Sequence, residues 1–189
     1  TGLARLVGAQ PSEVVGMNSL TVNLHLMLAS FYRPRGPRQK ILIEKRAFSS
    51  DRYALASHIA QRGLDPQQAL IEIEPRTGSE VFHTEDICEF IEQHAPEIAA
   101  IVLPGVQYLS GQCFDMARIA ECAQRLGCIV GFDLAHAIGN VPLHLHDWGV
   151  DFAVWCGYKY LDRRPGAIGA CFVPVPDGVN RISSVALTP

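Results

Sequence analysis

Residues 151–166 read DFAVWCGYKYLDRRPG. Phe152 to Cys156 is an unbroken apolar run of strand length, and Gly157 ends it. Directly behind it, Lys159 stands between Tyr158 and Tyr160. A single lysine is ordinarily a solvated surface group, so its meaning depends on what precedes it in the chain.

Working back from that strand, strand-like and helix-like segments alternate. KILIEKR, ALIEIEP, IAAIVLPG and CIVGFD are further apolar strands. SLTVNLHLMLASFY has apolar residues at a helical period, with Ser19 as its predicted N-cap. SDRYALASHIAQRG is a helix stopped by Gly63, TEDICEFIEQH a helix capped by Thr84, and FDMARIAECAQRLG a helix ending at Gly127. LAHAIGN is a short helix or turn. Continuous apolar strands separated by amphipathic helices predict an α/β fold, a mostly parallel sheet with helices on both faces. No helix separates the last two strands, DFAVWCG and AIGACFV, so one antiparallel strand is expected there. Residues 1–173 are expected to form the domain, and residues 174–189 an irregular tail.

Composition narrows the function. The chain has 189 residues, 48% hydrophobic and 19% charged, with a net charge of −3. That balance suits one globular domain and carries no electrostatic footprint for nucleic acid. No apolar run reaches membrane-spanning length, and the first residues lack a signal-peptide pattern. The stretch Arg33–Arg38 is basic, but two prolines and a glycine make it a solvated loop. The six cysteines include no CxxC pair and are expected as reduced core thiols of a cytoplasmic protein. His144, His146 and Asp147 resemble a metal tripod but read as an exposed alternation with no ligand role, so no metal is expected.

Ligand sites of open α/β sheets lie at the carboxyl ends of the strands. Three polar groups fall there: Ser49–Ser50–Asp51, Asp133 and Lys159. No GxGxxG or P-loop motif accompanies them. An aspartate and a later lysine at strand ends are a recurrent arrangement of pyridoxal phosphate enzymes. The lysine holds the cofactor aldehyde covalently, and the aspartate pairs with the protonated pyridine nitrogen.

At these residues the sequence resembles a known family. GFDLAHAIGNVPLHLHDWGVDFAVWCGYKYL (131–161) is similar to the core of kynureninase, a pyridoxal phosphate hydrolase of tryptophan catabolism. MNSLTVNLHLML (17–28), AFSSDRYA (47–54) and Gly111–Gln112 resemble it in the same order, and the likeness runs from Thr1 to about Phe172. It implies a partial large domain of the pyridoxal phosphate-dependent transferase fold. Lys159 then matches the covalent lysine and general base, and Tyr158 a tyrosine that contacts the phosphate and moves protons. Asp133 matches the pyridine-nitrogen partner and His136 a histidine beside the cofactor. Leu20 and Thr21 match phosphate-binding residues, Phe48 an aromatic stacked on the ring, and Asp51 a polar residue of the same loop. The implied reaction is hydrolysis of L-kynurenine, or its 3-hydroxy form, to anthranilate, or 3-hydroxyanthranilate, and L-alanine. It acts on a carbon–carbon bond in a ketonic substance and leads to NAD biosynthesis. The implied assembly is a homodimer.

Each residue also has a plainer role. Asp133 could cap a helix, His136 could be a satisfied core histidine, and Phe48 could only pack. Pro104, Gly157 and Asp162–Arg163–Arg164 depart from the family pattern. A catalytically incompetent remnant acting as a binding module, or another pyridoxal phosphate enzyme of the same fold such as a desulfurase or aminotransferase, are the alternative readings.

Overall fold

Neighbouring residues on each strand turn to opposite sides of the sheet, and here both sides are apolar. Ile41, Ile43, Ala100, Val102, Phe152 and Val154 pack in one cluster, while Leu42, Ile101, Leu103, Ala153 and Trp155 pack in the other. The strands therefore need helices above and below. The computed structural model describes residues 2–161 and 164–175. The expected tail beyond Val175, and Asp162 and Arg163, lie outside those residues.

Helix α1 (Gly2–Leu6), a 3₁₀ turn (Pro11–Glu13) and strand β1 (Val14–Gly16) precede helix α2 (Leu20–Phe31). There follow β2 (Lys40–Glu44), α3 (Ser49–Gln61), α4 (Pro66–Ala69), β3 (Leu70–Ile73), α5 (Thr84–His94) and β4 (Ile98–Pro104). The chain continues through α6 (Met116–Arg125), β5 (Ile129–Asp133), β6 (Phe152–Trp155) and β7 (Ala170–Phe172). The strands form one sheet in the order β1-β7-β6-β5-β4-β2-β3. Strands β2 to β6 pair in parallel, and β7 runs antiparallel to both β6 and β1. The predicted antiparallel strand is therefore present. The edge strand β1 had no sequence signal, being only three residues long.

Helices α2 and α3 cover one face, through Leu24, Leu28, Leu55 and Ile59. Helices α5 and α6 cover the other, through Ile87, Ile91, Ile119 and Ala123. The chain crosses from β2 out to β3, then reverses over β2 to β4 and β5. Such a reversal opens a crevice at the carboxyl ends of the strands on either side of it.

Several local expectations need correction. Helix α5 is capped at His83, with Thr84 already inside the helix, and His83 O accepts from Ile87 N at 3.1 Å. The basic loop is not wholly solvated. Arg38 folds back and donates to Leu126 O at 2.8 Å and Gly127 O at 2.6 Å, closing the C-terminal end of α6 where free carbonyls favour a cation. Cys88 and Cys122 are not free thiols. They form a disulfide between α5 and α6, which pack side by side with these Cα atoms 5.8 Å apart. A separation of 34 residues gives such a pair no local sequence mark. Cys113, Cys128, Cys156 and Cys171 are free, all but Cys113 buried. His146 stands 2.8 Å from the buried Glu13 carboxylate.

Two predictions follow from this packing. An added Cβ at Gly131 on β5 would lie 2.1 Å from the Phe152 ring. Gly131→Ala is therefore expected to lower the unfolding free energy by about 1–3 kcal/mol in urea titration. A loss below about 0.5 kcal/mol would show that the ring yields freely. His58 is buried, with Nε2 3.0 Å from His25 Nδ1 and Nδ1 without a partner among the described residues. Burial, then His25 and Arg62, hold its pKa below the usual histidine value. The fold thus favours the neutral ring, and this contribution is complete above a pH of about 6.5 and lost as pH falls below it. His58→Leu should flatten the fall in melting temperature on acidification, and an unchanged slope would remove His58 as its source.

Candidate active site

The crevice is a cavity of about 130 Å³ at the carboxyl ends of β2, β4, β5 and β6. All eight residues singled out in the sequence line it: Leu20, Thr21, Phe48, Asp51, Asp133, His136, Tyr158 and Lys159. Glu44, Ser50, Pro104 and Tyr108 are among the other lining residues.

Asp133 ends β5, where its carbonyl accepts from Gly105 N at 2.8 Å. Its carboxylate Oδ1 accepts from Ala135 N at 2.7 Å. It therefore caps the turn over residues 134–140, close to the plainer role the sequence allowed, while facing the cavity. That turn carries His136 and has Gly139 at φ +75°, a conformation that side chains resist. A Cβ at Gly139 would lie 2.7 Å from Tyr160 O. The turn thus packs directly on the segment that bears Lys159. His136 Nε2 lies 3.0 Å from Lys159 Nζ, which also stands 5.7 Å from the centre of the Phe48 ring. The sequence has three lysines; Lys40 and Lys45 are paired with Glu97 and Glu74. Lys159 has no carboxylate ion pair among the described residues.

Opposite these groups, two helices begin. Ser19 caps α2 as expected, its hydroxyl accepting from Val22 N at 3.4 Å. The approach to this cap is held by the chain just before β7: Gly169 N donates to Asn18 O at 2.6 Å, and Met17 N to Gly169 O at 3.1 Å. The Thr21 hydroxyl meets the Ser50 hydroxyl of α3 at 3.3 Å, so the first residues of two helices line one cavity. Phe48 precedes α3, 44% exposed, with Tyr108 edge-on at 5.3 Å between ring centres.

Electrostatics divides the cavity. Asp133, Asp51 and Glu44 are all buried, and none makes an ion pair among the described residues. Burial first, then the Asp133 charge, pushes Asp51 up to about 9, and Asp51 shares a side-chain hydrogen bond with Asp133. Asp133 is raised by burial but held down by that bond, by Ala135 N and by Lys159 and His136. The bond between them raises Asp51 and lowers Asp133, so it favours the proton on Asp51. Burial also lifts Glu44 to about 8. Burial and Lys159 lower His136, so its ring is neutral and able to accept from the Lys159 amine. Burial, then Cys156, raises Tyr158, which stays a phenol.

Glu44 and Tyr108 were missed by sequence reading. Glu44 looks like the polar end of an ordinary strand, and Tyr108 lies in a loop with no period. The unusual Pro104 pairs in register with Asp133 across β4 and β5, at the cavity wall.

Known proteins match this chain in two ways. The family model described as aminotransferase class-V matches residues 1–171. The kynureninase of Xanthomonas campestris pv. campestris (strain B100) is 58% identical over 172 residues, covering 91% of this chain and 41% of that protein. The kynureninase of Myxococcus xanthus (strain DK1622) is 58% identical over 170 residues, covering 90% and 40%. The chain therefore spans about two fifths of the length of these curated relatives. Among solved structures, the cysteine desulfurase of Thermococcus onnurineus NA1 superposes with a TM-score of 0.75 at 20% identity, over 90% of this chain and 40% of that one. An alanine–glyoxylate aminotransferase from Nostoc sp. gives 0.72 at 21%, over 97% and 44%. These two share the fold. The cofactor of the class-V family is pyridoxal phosphate. The donor set fits it, with a cluster of carboxyl groups, two helix starts with their hydroxyls, an amine and an aromatic ring.

The shared proton is testable without a ligand. A carboxyl whose pKa is raised by folding contributes its full stability below a pH of about 4 and loses it as pH rises toward the folded value. Asp51→Asn stays neutral and should stabilise the cofactor-free chain at a pH of about 8 by on the order of 2 kcal/mol, the gap closing near a pH of about 4. Equal melting temperatures at alkaline pH would mean that Asp51 carries no proton.

Proposed function

The chain belongs to the aminotransferase class-V family, and we propose that it is the cofactor-binding part of a kynureninase. Its reaction is hydrolysis of L-kynurenine, or 3-hydroxykynurenine, to anthranilate, or 3-hydroxyanthranilate, and L-alanine. The observation that carries this reading is the convergence of eight residues, spread from Leu20 to Lys159, on one cavity. The 58% identity to kynureninases supports it over other reactions on the same fold.

Pyridoxal phosphate, when bound, supplies an electron sink for charge developing on the substrate. The residues of the chain do the rest. Asp133, left charged by its partner Asp51, holds a proton on the pyridine nitrogen. Leu20 and Thr21 present backbone N–H groups of the α2 start to the phosphate, with the Thr21 and Ser50 hydroxyls beside them. Phe48 covers the ring face. Lys159 is the amine that would hold the cofactor aldehyde and, as general base, would move the substrate α-proton. Neutral His136, at 3.0 Å, accepts a hydrogen bond from the Lys159 amine and aims it into the cavity. Tyr158, protonated at neutral pH and at the mouth of the cavity, donates a proton to the carbon left when the Cβ–Cγ bond breaks.

Residues 1–173 on this reading are part of a large domain. The active form is a homodimer, acting in the cytoplasm in tryptophan catabolism and NAD biosynthesis. Half-exposed Tyr108, Leu109, Tyr158 and Tyr160 around the cavity support self-association, because a second copy would cover them.

The test is to add pyridoxal phosphate, record the visible spectrum, reduce with borohydride and map the modified peptide. A visible band and a single adduct at Lys159 are expected. Lys159→Ala should lose both, and kynurenine turnover should fall by at least about 10²–10⁴-fold. Label spread over Lys40 and Lys45 as well would overturn the assignment of the cavity.

A further inference from the structure

Glu44 has no task in the reading above, yet its placement is unusual. It ends β2, is 3% exposed, and lines the same cavity as Asp51 and Asp133, which are 6% and 8% exposed. The charged and titratable groups that face it are Asp133 from β5, Asp51 from the first turn of α3, and Glu72 from β3. All are acids. Glu72 is held by Arg52 at 3.0 Å, and Lys159 and His136 line the cavity beside Asp133. Three ionised carboxyls in a pocket walled by Leu20, Val106 and Ala135 would repel one another with little solvent to screen them. The empty pocket therefore keeps protons on Glu44 and Asp51.

We propose that Glu44 is a proton-holding positioning residue, a neutral acid beside Asp133 that releases its proton to solvent when a cation docks against Asp133. The inference rests on the reading that the docked group is pyridoxal phosphate, whose protonated pyridine nitrogen is that cation. A positive charge placed at Asp133 favours the ionised form of every carboxyl around it. The O–H bond of Glu44 breaks, the proton passes to buffer, and no bond forms between Glu44 and the cofactor. By linkage, loading is favoured as pH rises through the range in which Glu44 is protonated in the empty chain and ionised in the loaded one. Glu44 thus adjusts the charge of the pocket to its occupant, so that the empty chain does not have to hold three buried negative charges.

Calorimetry of pyridoxal phosphate binding, in two buffers of different ionisation enthalpy near a pH of about 7.5, counts the protons exchanged. The full chain should release up to about one proton more than Glu44→Gln. Glu74→Gln, which removes an exposed partner of Lys45 outside the cavity, should release as many as the unaltered chain. Equal counts in the unaltered chain and Glu44→Gln overturn the proposal. A second measurement needs no cofactor. The infrared spectrum of the empty chain at neutral pH should show a protonated-carboxyl stretch that shifts with carbon-13 glutamate labelling and is missing in Glu44→Gln. If that variant does not fold, the labelled unaltered chain still decides, because absence of a protonated glutamate band at neutral pH overturns the proposal. Failure of Lys159 to take the cofactor would instead overturn the reading above, and leave the infrared result to stand for Glu44 alone.

Discussion

Everything around the cavity answers to one constraint, a carboxylate buried at the end of a central strand. Asp133 is flanked by a strand on each side and, among the described residues, has a backbone N–H and the Asp51 carboxyl as close hydrogen-bond partners. An unpaired buried charge is among the most costly features a fold can carry. The apolar clusters on both faces of the sheet supply the stability that tolerates it. The surrounding groups divide the labour: Asp51 favours the proton, and Lys159 brings positive potential without an ion pair among the described residues.

The geometry that permits this comes from the path of the chain. Crossing outward from β2 to β3 and then back over β2 to β4 leaves the strand ends without a covering connection at the reversal. Residues far apart in sequence are brought to that gap by short rigid means: a strand end for Asp133, a helix start for Leu20 and Asp51, and a tight turn resting on Tyr160 for His136. Lys159 sits on a loop with Tyr158, and the close approach of Gly139 to Tyr160 O limits where that loop can lie.

Much of this was legible in the sequence because the strands are apolar at every position and the helices carry caps and glycine stops. The antiparallel return of β7 could be read from a missing helix. The features that escaped depend on contacts between distant residues. The Cys88–Cys122 link needs α5 and α6 to lie side by side, and nothing local to either cysteine announces it. Arg38 looked solvated because its acceptors, the last carbonyls of α6, lie about ninety residues away. Glu44 reads as a polar strand terminus until Asp133 and Asp51 are placed beside it. The eight site residues were found by resemblance to a family. From spacing alone, only Asp133, Lys159 and the loop at Asp51 stood out.

Gly169 carries a consequence for the order in which the molecule comes into being. Its backbone passes so close to the start of α2 that a Cβ there would lie 2.5 Å from Trp155 O and 3.2 Å from Leu20 N. It is bonded in both directions to Met17 and Asn18. Met17 and Asn18 therefore wait for a partner that is made much later in the chain. A nascent chain that has emerged through Tyr160 already carries the amine and the acidic groups. The helix start facing them gains its final support only when Gly169 leaves the ribosome, since domains complete their packing as synthesis delivers the last partners. On the ribosome, the two ends of the cavity mature at different times.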